Sequence, residues 1–169
     1  MRLVEGTVEI GDDAPFSDVA SFVSALESIG ETHDVTVQAF DARYVVSRRH
    51  LERAVELADR ARDRGAGIAR DRAVEILLYA AGRRQIDRAL EMGVSRGRTP
   101  VVVLVDGSDD ERSAANAVAE LVESASTLGE YDESLVRTFF EIGERELRAT
   151  DAGLEALVLE RVALLVVER

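Results

Sequence analysis

Two hydrophobic rhythms alternate along the chain, and their changes mark its elements. Leu3, Thr7, Val8 and Ile10 alternate loosely with polar neighbours in RLVEGTVEI, predicting a first strand over 2–10. Phe16, Val19, Ala20, Phe22, Val23 and Leu26 then recur at helical spacing, so a helix is expected up to Gly30. Period two returns in HDVTVQAFDA, where Val35, Val37 and Ala39 oppose Thr36, Gln38 and Phe40, a second strand. SRRHLERAVELADRARDRG reads as a helix capped by Ser47, stopped by Gly65, with Leu51, Ala54, Val55, Ala58 and Ala61 on its core face.

GIARDRAVEILLYAAG predicts a more fully apolar helix through Val74, Ile76, Leu77, Leu78 and Tyr79, closed by Gly82. A short helix, RRQIDRALEM, follows to Gly93, with Ile86 assigned to the core beside Leu77 and Leu78. TPVVVLVDG is the clearest strand: five consecutive apolar residues after Pro100 suit a central strand covered on both faces. SDDERSAANAVAELVESAST predicts a helix opened by a Ser108–Glu111 capping box and carrying Ala114, Ala117, Val118, Leu121, Val122 and Ala125. The remainder reads as helical pieces broken near Gly143 and Gly153. Its end, LEALVLERVALLVVER, is either helix or helix passing into an edge strand.

Three strands separated unevenly by one helix and then by three do not make a doubly wound sheet. The expected fold is one mixed α+β (α/β) domain over 1–169, a small, mainly antiparallel sheet of three to four strands packed with about seven helices.

Composition changes the picture in three ways. Cysteine is absent, which excludes disulfides, thiolate chemistry and Cys-based zinc sites. No apolar run reaches the roughly 20 residues needed to span a bilayer, and MRLVEGTVEI lacks a signal peptide's apolar core, so a cytoplasmic protein without membrane partners is expected. All 21 basic residues are arginine, against 33 Asp and Glu, a net charge of −12. That balance suits a protein of concentrated intracellular salt, where carboxylates hold hydration and screening removes self-repulsion.

The charge is uneven. Residues 1–42 carry one Arg against nine carboxylates and residues 99–169 six against sixteen, whereas residues 43–98 carry fourteen against eight. A net +6 third inside an acidic chain points to an anionic partner. At 100° per residue, Arg49, Arg53, Arg60 and Arg64 fall within about 60° of one another on their predicted helix. Arg43, Arg48, Arg70, Arg72, Arg83, Arg84, Arg88, Arg96 and Arg98 add to this surplus. Guanidinium forks suit phosphates and stack on unpaired bases. A solvated face of salt bridges would account for the same stripe, Glu56 lying close to it.

Enzymatic inventory is thin. His33 sits in an acidic loop and His50 near a helix start, and both read as structural or solvent-facing residues rather than catalysts. The carboxylates of GDD (11–13) and DGSDDE (106–111) read as hydration surface or helix-start charge rather than a metal site. RGAGIAR has Gly65 and Gly67 but not the spacing of a phosphate loop. No catalytic residue, cofactor or metal is assigned.

The block QAFDARYVVSRRHLERAVELADRARDRGAGIARDRAVEILLYAAGRRQIDRALEMGV, most of all EILLYAAGRRQI (Glu75–Ile86), resembles the TPRKB family, the kinase-binding subunits of the KEOPS complex. Asp41, Ala42 and His50–Leu51 support the likeness, and VVVLV and LERVALL extend it. The resemblance implies a non-catalytic subunit of the assembly that places threonylcarbamoyladenosine in tRNA. Such a subunit docks on the small atypical kinase/ATPase, touches other KEOPS subunits indirectly, and engages the single-stranded CCA 3′ end of tRNA. Arg84 matches the arginine of the family's RQI motif and is assigned either to that 3′ end or to a buried salt bridge with Glu75 or Asp87. Arg83 stands where the family often has a small or hydroxyl residue. Arg49, Arg53, Arg64 and Arg70 are assigned with Arg83 and Arg84 to RNA, and Leu154, Leu157, Leu164 and Leu165 to the kinase.

Two other readings fit the same residues. One is a small-molecule enzyme binding a phosphorylated substrate through RGAGIAR and Arg84. The other is an oligomeric scaffold whose arginines only balance neighbouring acids.

Overall fold

The computed structural model describes residues 1–167. Four strands and eight α-helices give the mixed α+β architecture expected from the sequence. Residues gather into two compact units, each assembled from two separate stretches of chain: 1–42 with 93–128, and 43–92 with the chain from Gly129 onward.

The first unit holds the sheet. Strands β1 (Arg2–Ile10), β2 (Thr36–Asp41), β3 (Gly97–Asp106) and β4 (Glu123–Ser124) lie in the order β2-β3-β1-β4, every pairing antiparallel. β3 is central, as its unbroken apolar run predicts, and all of Val101–Val105 is fully buried. Helix α1 (Val19–His33) and helix α5 (Glu111–Ala119) pack on the sheet face formed by Val8, Ile10, Val37, Ala39, Val101, Val103 and Val105. Phe22 and Leu26 from α1 and Ala114 and Val118 from α5 close that core. Each of the larger side chains contributes roughly 2 kcal/mol by leaving water.

Two sequence expectations fail in this unit. Helix α1 runs past Gly30 to His33, because Asp34 takes the left-handed conformation (φ 52°) and returns its N–H to the Gly30 carbonyl, making the turn there instead. Helix α5 has no Ser108–Glu111 capping box; its cap is Asp110, which makes no side-chain cap bond, and it stops at Ala119 rather than near residue 127. The Val-Glu-Ser-Ala-Ser run beyond it, with β-branched Val122 and two serines, instead supplies β4, paired to β1 at Gly6 and Thr7. Gly6 permits this: a β-carbon there would sit 2.5 Å from the Glu123 carbonyl oxygen. Glu5 fastens the exit from β4, its carboxylate accepting from the N–H groups of Thr127 (3.0 Å) and Leu128 (2.7 Å).

The second unit is helical. It comprises α2 (Arg48–Asp63), α3 (Arg72–Ala81), the single-turn α4 (Ile86–Ala89), α6 (Glu133–Phe139), α7 (Glu144–Ala149) and α8 (Gly153–Leu164). The hydroxyl oxygen of Ser47 caps α2 by accepting from the His50 N–H at 3.2 Å. The buried face of α2 is His50, Leu51, Ala54, Leu57, Ala58 and Ala61; Val55, expected there, is half-buried and Leu57 takes its place. Seven consecutive residues of α3, Glu75 to Ala81, are buried. Gly82 ends α3 in the left-handed region (φ 61°), with space for a β-carbon limited by the Arg161 carbonyl oxygen 3.1 Å away.

His50 is fully buried between these helices. Its Nε2 lies 2.8 Å from the Ala80 carbonyl oxygen and its Nδ1 3.4 Å from the Val46 backbone nitrogen. One neutral tautomer satisfies both contacts: Nε2–H donates to Ala80 and Nδ1 accepts from Val46. Burial lowers its pKa from 6.5 to about 4, against the opposing pull of the Ala80 carbonyl and the Glu155 charge.

Ile86, expected in the core, is 49% exposed, because a helix of one turn has no buried face long enough to enclose it. The C-terminal alternative resolves as helix through Leu164 followed by turn to Val167, with no strand there among the described residues; residues 168 and 169 lie outside them. No helix among the described residues is long and apolar enough to cross a membrane.

Candidate nucleic-acid interface

Most arginines belong to the helical unit. Seventeen arginines face eighteen carboxylates there, against four and fifteen in the sheet unit. The stripe on α2 exists as spaced in the sequence and runs about 22 Å from Arg49 to Arg64 at 1.5 Å per residue. Its middle is internally paired. Arg53 and Arg60 both reach Glu56 at 2.9 Å, and the hydrogen bond from Arg53, reinforced by both charges, holds that carboxyl below the usual carboxylate range.

At the C-terminal end of the stripe a cleft opens. Leu57, Ala61, Tyr79, Leu165 and Val166 give it an apolar lining, Ala66 and Ile68 form a wall, and Arg60, Arg64 and Arg84 bring cationic groups to it. Arg64 and Arg84 are exposed. The open space is about 30 Å³ and Leu57, Ala61, Tyr79 and Leu165 are buried beneath it, so what the cleft offers a ligand is chiefly the guanidinium groups at its mouth, whose forks suit phosphate.

The other assigned residues divide. Arg49 and Arg70 are exposed, at the far end of the stripe and in the loop after the cleft wall. Arg83 is turned to structure. Its guanidinium lies 5.1 Å from the Phe139 ring centre, donates to the Phe139 carbonyl and sits 3.9 Å from the Glu141 carboxylate. Arg161 completes that corner, donating to the carbonyls of Phe140 (3.0 Å) and Glu141 (3.2 Å) and gripping Glu146 at 2.6 Å. Three successive carbonyls after α6 are thus capped by two guanidinium groups, and Glu141 is held at φ 56°.

Of the leucines assigned to the kinase, Leu154, Leu157 and Leu165 are buried in the chain, and Leu164 is 38% exposed. Leu165 instead lines the cleft. Val167, at 72%, continues the exposed apolar surface of this segment.

RGAGIAR, read above as an alternative phosphate loop, has its backbone donors occupied. The Glu75 carboxylate accepts from the N–H groups of Ile68 (3.0 Å) and Ala69 (2.6 Å), where a bound phosphate would otherwise sit. His33 pairs with Asp110 at 2.8 Å in the sheet unit, and His50 has both ring nitrogens engaged. Among the described residues no three His, Asp or Glu side chains gather to hold a metal ion.

The stripe was legible from Arg positions alone. The cleft was not: Leu57 and Ala61, offset by three from Arg60 and Arg64, were its only sequence signal on α2. Tyr79 follows on α3, and Leu165 and Val166 arrive about a hundred residues later. The model of a family described as kinase binding protein CGI-121 matches residues 16–165, enclosing α2, α3 and the whole cleft up to Leu165. Among curated proteins, none matches the chain.

Proposed function

We propose, from the premise that this chain belongs to the kinase binding protein CGI-121 family, that it is the non-catalytic, kinase-binding subunit of a KEOPS complex and that the arginines around its cleft engage the single-stranded CCA 3′ end of tRNA. The observation that carries the tRNA reading is the gathering of Arg60, Arg64 and Arg84 around one cleft, all three drawn from the stretch 43–98, where arginines outnumber carboxylates. Arg49, Arg53 and Arg70 extend this surface toward the backbone phosphates. Arg84 acts at the 3′ end, whereas Arg83 supports the corner beneath it.

For the kinase, Leu164 and Val167 offer the exposed apolar surface, the other three leucines being spent on the core. Docking there leaves the chain without chemistry of its own; it supports the small kinase/ATPase and delivers tRNA to the assembly that makes threonylcarbamoyladenosine. The arginine-only, carboxylate-rich composition fits the cytoplasm of a salt-loving archaeon. In such salt, long-range attraction is screened, so binding rests on close forked contacts, stacking and shape.

A pull-down in concentrated KCl tests this, with the kinase and with tRNA whose CCA end is intact or trimmed. Intact tRNA is retained and trimmed tRNA is not. Arg64→Glu with Arg84→Glu abolishes tRNA retention and spares the kinase, while Leu164→Glu does the reverse. Equal retention of trimmed tRNA refutes the 3′-end assignment.

A further inference from the structure

Glu56 stands in the middle of the arginine stripe on α2, and half of its side chain is open to solvent. At 100° per residue it lies about 20° from Arg49 and about 40° from Arg60. One of its carboxylate oxygens, Oε1, serves two guanidinium groups at once: Arg53 a turn before it and Arg60 a turn after it, each at 2.9 Å. Exposed pairs at this spacing add little to a helix. Helix α2 is in any case fixed by the Ser47 cap and by the buried face from His50 to Ala61. Neighbouring acids on α2 do different work. Glu52 bonds Arg48 at 2.9 Å, and Asp59 ties Arg72 of α3 to the helix through two bonds of 2.8 Å.

A carboxylate set among phosphate-binding forks offers them the same kind of anionic oxygen that a phosphate would. It is also tethered. Glu56 stays one turn away from Arg53 and Arg60 at every RNA concentration, so it competes as an intramolecular ligand. Arg60 is where the two anions meet: it reaches the cleft mouth with Arg64 and Arg84 and holds Glu56 at the same time. Arg64 and Arg84 are exposed beside it, as is Arg49 at the other end of the stripe. The stripe therefore has open ends and an occupied middle.

We propose that Glu56 is a built-in competitor of RNA phosphate: it occupies Arg53 and Arg60 in the free protein and yields them only to a strand already held by Arg64 and Arg84. The inference rests on the tRNA reading above and adds the regulation of that surface. An anion that meets Arg53 and Arg60 by itself finds them filled, so chance contacts with phosphate gain little there.

The experiment uses the full chain and a labelled oligoribonucleotide ending in CCA, read by fluorescence anisotropy across a KCl series. Glu56→Gln frees both guanidinium groups. It tightens binding about threefold and steepens the slope of log affinity against log salt by about 0.7, one further phosphate contact on a single strand. Glu52→Gln removes the same charge one turn earlier and leaves both readings unchanged. Arg53→Met costs little in the wild type, where Glu56 already fills that fork, but removes the whole gain in Glu56→Gln. Such non-additivity is the mark of two anions sharing one site. None of these side chains is buried, so the variants keep the fold. Unchanged or weaker binding by Glu56→Gln overturns the proposal, since Glu56 then only braces the helix or aims Arg60. Equal tightening by Glu52→Gln also overturns it, because net charge alone then explains the gain. If Arg64→Glu with Arg84→Glu binds the strand as tightly as wild type, the tRNA reading itself is overturned, and the proposal with it.

Discussion

Acid should loosen this protein through one buried ring. His50 is neutral in the fold because full burial strips the charged ring of solvation, and protonation would also place a hydrogen on Nδ1, facing the Val46 N–H 3.4 Å away. Its pKa falls from 6.5 to about 4. Above pH 6.5 the ring is neutral in folded and unfolded chains alike, so it carries no pH-dependent cost. Between 6.5 and 4 the unfolded chain binds a proton that the folded chain refuses, and stability falls with pH until the folded ring titrates as well. The full loss approaches about 3 kcal/mol, and about 2 kcal/mol is gone near pH 5. Urea unfolding in molar KCl, at about pH 7.5 and about pH 5, measures it. The reference is His50→Gln, whose amide donates to Ala80 and accepts from Val46 without titrating. Carboxylates contribute equally to both proteins, so the difference between their pH slopes isolates the ring. A variant that loses as much stability as wild type on acidification refutes this account. So does a wild type that gains stability.

Three further outcomes follow from the helical unit. Single-stranded binding through three cleft arginines predicts a slope of log affinity against log salt of about −2, and Arg64→Ala with Arg84→Ala reduces its magnitude by about 1.4. Arg83→Ala leaves that slope unchanged but lowers the urea midpoint; an equal fall in slope shows that Arg83 meets phosphate rather than the Phe139 corner. Gly82→Ala forces a β-carbon into a left-handed residue 3.1 Å from the Arg161 carbonyl, costing about 1–3 kcal/mol in urea unfolding.

What the residues disclosed in advance depended on how far their causes lay apart. β3 is legible in TPVVVLVDG because burial needs only an unbroken apolar run. Helix α2 is legible because Ser47 and Gly65 mark its ends locally. β4 escapes because its two residues pair only where Gly6, far away in sequence, leaves room for them. Ile86 misled because an amphipathic pattern implies a buried face only when the helix is long enough to have one. For the cleft, charge was readable and shape was not. Arg60 and Arg64 follow from helical spacing, but Leu165 at the floor looked like a docking residue until the fold placed it under them. Arg83 and Arg84 are neighbours in sequence, and only the fold shows Arg83 turned into the Phe139–Glu141 corner while Arg84 stays exposed.

The interleaving of the two units has a consequence for the newborn chain. β1 is made first, yet its partner is β3, with Leu3 facing Leu104 across the ladder. Roughly 100 residues must emerge from the ribosome before the first rung can close, and the entropy of that loop is met before any pairing rewards it. The helical unit waits longer, since α8 supplies part of its core. The sheet unit closes only once residues 93–128 are out, and the helical unit only once α8 is. A strand with Leu3, Val4, Val8 and Ile10 thus stays without its β3 partner until residues 97–106 have emerged. Its Glu5 and Glu9 then serve as gatekeepers, keeping like strands on neighbouring ribosomes from pairing with one another.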